Sequence, residues 1–159
     1  MNILFLCTGN SCRSIIAEAI FNALAAPEHH AISAGSQPKG LIHPRSLALL
    51  SRKGISTEGY ASKSWDSLPY IPDIVITVCG NAAGEVCPAY LAPAIRAHWE
   101  VDDPDKATGS DAEIDRAFET AYKILKIRIQ ALLALPLAEL KGDPIQLQVE
   151  LDHIGTLTI

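Results

Sequence analysis

Asn2-Ile3-Leu4-Phe5-Leu6-Cys7-Thr8-Gly9-Asn10-Ser11-Cys12-Arg13-Ser14-Ile15-Ile16 passes from a short apolar stretch, through a polar turn containing glycine, into an amphipathic pattern. Asn2 to Leu6 reads as a buried strand. After the turn, Ile15 and Ile16, Ala19 and Ile20, and Ala23 and Leu24 recur every four residues up to Pro27, which marks one face of a helix. Strand, tight loop and helix in succession aim backbone N–H groups at one point, the geometry of an anion cradle. Arg13, at the end of that loop, can grip two oxygens of a tetrahedral oxyanion. The same positive field is expected to lower the pKa of Cys7 and keep it as thiolate. Ser14 is a candidate hydrogen-bond donor to that thiolate, and Asn10 is placed to fix the loop through its backbone. Thr8, Gly9, Ser11 and Cys12 complete the candidate binding loop, with the Cys12 thiol itself reading as a bystander.

Outward from this loop, His30 to Ala34 gives a second strand ending at Gly35. Pro44 to Gly54 has proline in the first turn and glycine just past the end of a helix. Residues 56–72 carry no consistent period. Asp73-Ile74-Val75-Ile76-Thr77-Val78-Cys79 is a β-branched run of buried-strand character that also ends in a cysteine. A loop with Gly80, Gly84, Cys87 and Pro88 follows, then a strand about Ile95 to Val101. Ser110 and Glu113 form a capping box ahead of the stripe Ile114, Phe118, Ala121, Leu125, Ile129 and Leu132. Beyond Pro136, Ile145, Leu147, Val149 and Leu151 alternate as a strand would. Asp143 as N-cap, Pro144 and Gly155 point instead to a short helix. Strands alternating with helices make an α/β fold with a parallel sheet, and ligands are expected outside the carboxyl ends of its strands. Cys7 and Cys79 both lie at such ends, so they can share one site.

The chain has 159 residues, 48% of them hydrophobic and 19% charged, which suits one compact domain. A net charge of −5 argues against nucleic acid, whose binding needs clustered Lys and Arg. No apolar run is long enough to span a bilayer, and the amino terminus lacks the basic leading region of a signal peptide. A cytoplasmic protein is therefore expected. In that compartment four cysteines, at 7, 12, 79 and 87, suggest catalysis, redox chemistry or metal binding more than structural disulfides. A zinc module built on all four would need closer pairs than Cys-x4-Cys and Cys-x7-Cys, and it leaves Arg13 without a role. The five histidines show no ligand spacing, and no metal site is expected from them.

The run Cys7 to Ser14, the turn Ser33-Ala34-Gly35 and the segment Asp102-Asp103-Pro104 resemble the low-molecular-weight tyrosine phosphatase superfamily. Thr77-Val78-Cys79, Cys87-Pro88 and His98-Trp99 resemble, within it, the arsenate reductases built on that fold. The resemblance runs from the first residue to about Leu135. It implies a three-layer sandwich around a central, mostly parallel four-stranded sheet over 1–135, with 136–159 as a C-terminal extension packed on it. Cys7 is implied as nucleophile, Arg13 as oxyanion ligand and Asp103 as general acid, with Asp102 the rival acid. Cys79 is implied as the second thiol, forming a Cys7–Cys79 disulfide as arsenite leaves, and Cys87 as a third that would pass the disulfide to Cys79–Cys87. Seven residues separate Cys79 from Cys87, one more than expected in the thioredoxin-coupled members, so thioredoxin and glutathione with glutaredoxin both stand as external reductants. No tightly bound cofactor is implied. Phosphate and sulfate are expected to compete with arsenate, and the protein to act as a monomer. Glu18 with Asn10 and Ser33 reads either as a cation site, as in some related reductases, or as a solvated carboxylate. The rival activity is phosphotyrosine hydrolysis. Against it, Ser36 to Leu41 and Asp105-Lys106-Ala107 lack the aromatic walls such a substrate needs, and two thiols go unused.

Overall fold

Strand β1 (Asn2–Leu6) lies inside the sheet, where its unbroken apolar side chains are covered on both faces. The computed structural model describes residues 1–79, 91 and 93–159. In chain order, β1 is followed by α1 (Arg13–Leu24), β2 (His30–Ala34), α2 (Pro44–Arg52), β3 (Ile74–Thr77) and β4 (Ile95–His98). The long α3 (Asp111–Leu133), a single turn α4 (Leu137–Leu140) and α5 (Pro144–Ile154) complete it. Short 3-10 turns sit at Trp65–Ser67 and Pro104–Lys106.

The strand order is β2-β1-β3-β4, and every described pairing is parallel, where the sequence suggested only a mostly parallel sheet. Leu6 is level with Ala34 on one side and Thr77 on the other, and Thr77 with His98. All four strands therefore end at one edge. The order reverses between β1 and β3, the switch point at which open α/β sheets bind ligands, and Cys7 and Cys79 follow these two strands. The fourth strand is shorter than the expected Ile95 to Val101. It stops at His98, after which the Trp99 indole leaves the ladder to donate to the carbonyl of Leu151 at 3.0 Å.

Alternation along β1 sends Ile3 and Phe5 into the larger core, with Ile16 and Ile20 of α1, Phe118 and Leu125 of α3, and Leu147 and Leu151 of α5. Leu4 and Leu6 face the other way, towards Val75, Leu91, Trp65, Leu68 and Tyr70. The Ser110 hydroxyl accepts from the Glu113 amide, and the Glu113 carboxylate takes the Ser110 amide, so the capping box closes at the start of α3. In α5, Leu147, Leu151 and Ile154 are buried while Ile145 and Val149 are exposed, so the alternation in sequence is part of a helical i, i+4, i+7 face.

Candidate active site

Between β1 and α1 the chain turns through Cys7 to Cys12, and the direction of its carbonyls decides what the loop can bind. Thr8 O accepts from the Gln37 amide at 3.0 Å, Gly9 O from Lys39 at 2.9 Å and Ser11 O from His43 at 3.1 Å. With these carbonyls held on the outer side, the N–H groups turn towards the pocket, and the Gly9 amide donates to the Cys7 sulfur. Gly35 backs the loop closely enough that a Cβ there would lie 2.6 Å from the Cys7 carbonyl oxygen, which is why this position needs glycine.

Asn10 sits at φ 45°, in the left-handed region that asparagine tolerates. Its side chain ties the loop to other segments, not to the loop's own backbone as the sequence suggested. Nδ2 donates to Ser14 Oγ at 2.8 Å and to Ser33 Oγ at 2.9 Å, and Oδ1 accepts from the Lys63 amide at 2.8 Å. Ser14 thus stands behind the loop in this network and does not line the pocket. Ser33 in turn donates to Glu18 Oε1 at 2.6 Å. Glu18 is buried, which overturns its reading as a solvated carboxylate, and burial raises its pKa against the lowering by Lys63 and Ser33. The Lys63 ammonium, 3.9 Å from Glu18 Oε2, supplies the charge opposite it.

Cys7, Thr8, Gly9, Asn10, Ser11, Cys12 and Arg13 line one pocket together with Cys79, Asp102 and Asp103. Cys87 lies outside the described residues. Arg13 Nη1 donates to Val101 O at 2.8 Å, and Nη2 lies 3.3 Å from Asp103 Oδ2. Asp103 rather than Asp102 is therefore the acid paired with the guanidinium. Among the described residues Arg13 Nε is buried without a hydrogen-bond partner, a deficit worth about 1–3 kcal/mol that a bound oxyanion can relieve. Asp103 also accepts from the Asp105 amide at 3.0 Å, which starts the 3-10 turn after it.

The Cys79 side chain lines the pocket with Cys7 and lies 3.7 Å from the Thr8 hydroxyl. The neighbouring Cys79 thiol, followed by burial, raises the Cys7 pKa above the ordinary thiol value, against the lowering by Arg13 and the Gly9 backbone. The direction is opposite to the lowering expected from the cradle alone, with Arg13 engaged by Val101 and Asp103 as well as acting on Cys7. Burial pushes Cys12 up to about 11, so at neutral pH it is an uncharged thiol, in keeping with a bystander.

Three features of the site gave no signal in sequence. The carbonyl of Val101 is one. The others are the rim pair of Lys39 Nζ and Asp105 Oδ2 at 2.7 Å, with His43 Nε2 3.0 Å from Asp105 Oδ1, and Lys63 beneath the loop. It takes the fold to bring residues 39 and 105 together.

The arsenate reductase of Halalkalibacterium halodurans is 41% identical to this chain over 112 residues, which cover 70% of this chain and 79% of that protein. A solved arsenate reductase in its phosphate-binding state matches with a TM-score of 0.70 at 28% identity, over 84% of this chain and 96% of that one. A solved thioredoxin-dependent arsenate reductase of Corynebacterium glutamicum matches with a TM-score of 0.57 at 29% identity, over 81% of this chain and 61% of that one. The model of the low molecular weight phosphotyrosine protein phosphatase family matches residues 2–145, from β1 into the start of α5, and the chain belongs to that family.

Proposed function

We propose that this chain reduces arsenate to arsenite. Cys7 acts as nucleophile, Arg13 as oxyanion ligand, Asp103 as general acid and Cys79 as the second thiol. The observation that carries the reading is a second thiol, Cys79, which lines the same pocket as Cys7 and Arg13. A phosphatase needs only water at that position.

Arsenate enters the cradle and turns Arg13 towards it, and its basic oxygens take the proton of Cys7. The sulfur attacks arsenic, an As–O bond breaks, and that oxygen leaves as water with a proton from Asp103. Cys79 then attacks the Cys7 sulfur, its thiol proton passing to an oxygen of the departing arsenic group. The S–As bond breaks with its electron pair staying on arsenic, which falls from the +5 to the +3 state and leaves as arsenite. Two thiols have supplied two electrons and end as a Cys7–Cys79 disulfide, which an external thiol reduces. The named dependence of the Corynebacterium relative makes thioredoxin the first reductant to try, with glutathione and glutaredoxin second. Such a cycle suits a reducing cytoplasm.

The phosphatase reading has the family's cradle in its favour, but the rim carries the Lys39–Asp105 pair in place of aromatic walls. Steady-state turnover separates the two readings. Cys7→Ser should abolish arsenite release, and Cys79→Ser should lower it by about a hundredfold, or some 2.7 kcal/mol, while both still bind phosphate. Full turnover by Cys79→Ser with thioredoxin and with glutaredoxin would contradict the redox assignment.

A further inference from the structure

Trp99 to Asp103 leaves the sheet and carries much of the pocket's far wall. The Val101 amide donates to Val78 O at 3.3 Å, next to Cys79, and its carbonyl holds Arg13. Two residues on, Asp103 meets the same guanidinium. β4 has ended at His98, and beyond the Trp99 and Val101 amides, which bond to Thr77 and Val78, this segment is held also from behind.

Arg128 of α3 is 6% exposed and forms no ion pair among the described residues. Its Nε donates to Leu157 O at 2.9 Å and its Nη1 to Glu100 O at 3.0 Å. A buried cation without a counter-charge is costly, and a Met or Leu would fill the same space without that penalty. What the guanidinium adds is a rigid fork between two carbonyls. One belongs to the segment that bears Asp103, the other to the C-terminal tail. Successive carbonyls of an extended chain point to opposite sides, so fixing Glu100 O on Arg128 turns Val101 O towards Arg13. Trp99 adds a second tie through its indole N–H to Leu151 O. Gly155 packs against it so closely that a Cβ would lie 2.9 Å from Trp99 Cδ1. Leu151, Gly155 and Leu157 all lie beyond the family match, which ends at residue 145.

We infer that Arg128, Trp99 and residues 146–159 form a brace that holds Glu100 to Asp103 against the pocket, with Arg128 and Trp99 as positioning residues for Arg13 and Asp103. The kinetic part rests on the proposed arsenate reduction; the exchange part does not.

Two variants test it, Arg128→Lys, which keeps the charge but loses the fork, and Trp99→Phe, which removes the indole N–H. In each, amide hydrogen exchange over residues 100–107 should quicken by about tenfold with α1 unchanged. Asp103→Asn should cost kcat at least about threefold less in the Arg128→Lys background than in the wild type, because the acid is already misplaced there. Independent, multiplicative losses, or unchanged exchange at 100–107, would overturn the brace. Should Arg128→Lys fail to fold, Trp99→Phe must show both effects or the inference falls. A wild type that does not reduce arsenate would sink the functional reading alone, and the exchange comparison would then decide the brace.

Discussion

Cys79 stands first among the influences that raise the Cys7 pKa, ahead of burial. Cys79→Ala removes that influence and leaves Arg13 and the Gly9 backbone to act on a sulfur opposed chiefly by burial. Cys7 should then be alkylated by iodoacetamide faster at pH 7 than in the wild type, read by mass spectrometry of the peptide. An unchanged rate would show that Cys79 does not govern the thiol. Beneath the loop, Glu18 is held above its ordinary 4.5, so its contribution to stability is greatest below that value and is lost as pH rises through the folded pKa. Ser33 opposes the shift by favouring the ionised form. Ser33→Ala also strips partners from Glu18 Oε1 and Asn10 Nδ2, and should destabilise by about 1–3 kcal/mol. The loss should be larger on the alkaline side of the Glu18 titration than on the acid side, because Ser33 favours the ionised form. Equal losses in urea unfolding on the two sides would contradict this account of the network.

At the level of elements, the cradle depends on how closely β2 approaches the loop after β1. Gly35→Ala forces a Cβ into the Cys7 carbonyl, an overpacking worth about 1–3 kcal/mol, and should weaken phosphate binding as the loop shifts. Calorimetric titration with phosphate checks it, and unaltered affinity would show that the loop tolerates displacement. Most of these elements were legible in sequence, because local chemistry writes them. The apolar run Asn2 to Leu6, proline at the start of α2 and the Ser110–Glu113 box each act within a few residues. So was the meeting of Cys7 with Cys79, since parallel strands place both at one edge. What was not legible depends on distant groups. The Cys7 pKa is raised by Cys79 and by burial against Arg13, and the Val101 that also engages Arg13 offers only a backbone carbonyl that no side-chain pattern marks. Glu18 read either as a cation ligand with Asn10 and Ser33 or as solvated, and the Lys63 that stands opposite it comes from a separate segment that local sequence does not connect to it.

Over the whole molecule, a net charge of −5 coexists with an anion site because the positive field is local, made by turned amides and one guanidinium. The tail belongs to the same cooperative unit, since Leu147, Leu151 and Ile154 share a core with Phe5, Trp99 and Phe118. Leu151 is fully buried, and Leu151→Ala should cost about 2–5 kcal/mol in a single unfolding transition. A separate early transition for the tail would contradict that unity. The sheet edge, the cradle and the paired thiols converge on one claim, that Cys79 takes the Cys7 sulfur from arsenic. The most direct test is one arsenate turnover of reduced protein without external thiol, followed by acid quench and disulfide mapping. The account predicts stoichiometric arsenite with a disulfide that includes Cys79. A Cys7–Cys79 link would point to an external thiol as the next reactant, and a Cys79–Cys87 link to an internal relay. Protein recovered with all its thiols reduced, and arsenate unconsumed, would contradict it.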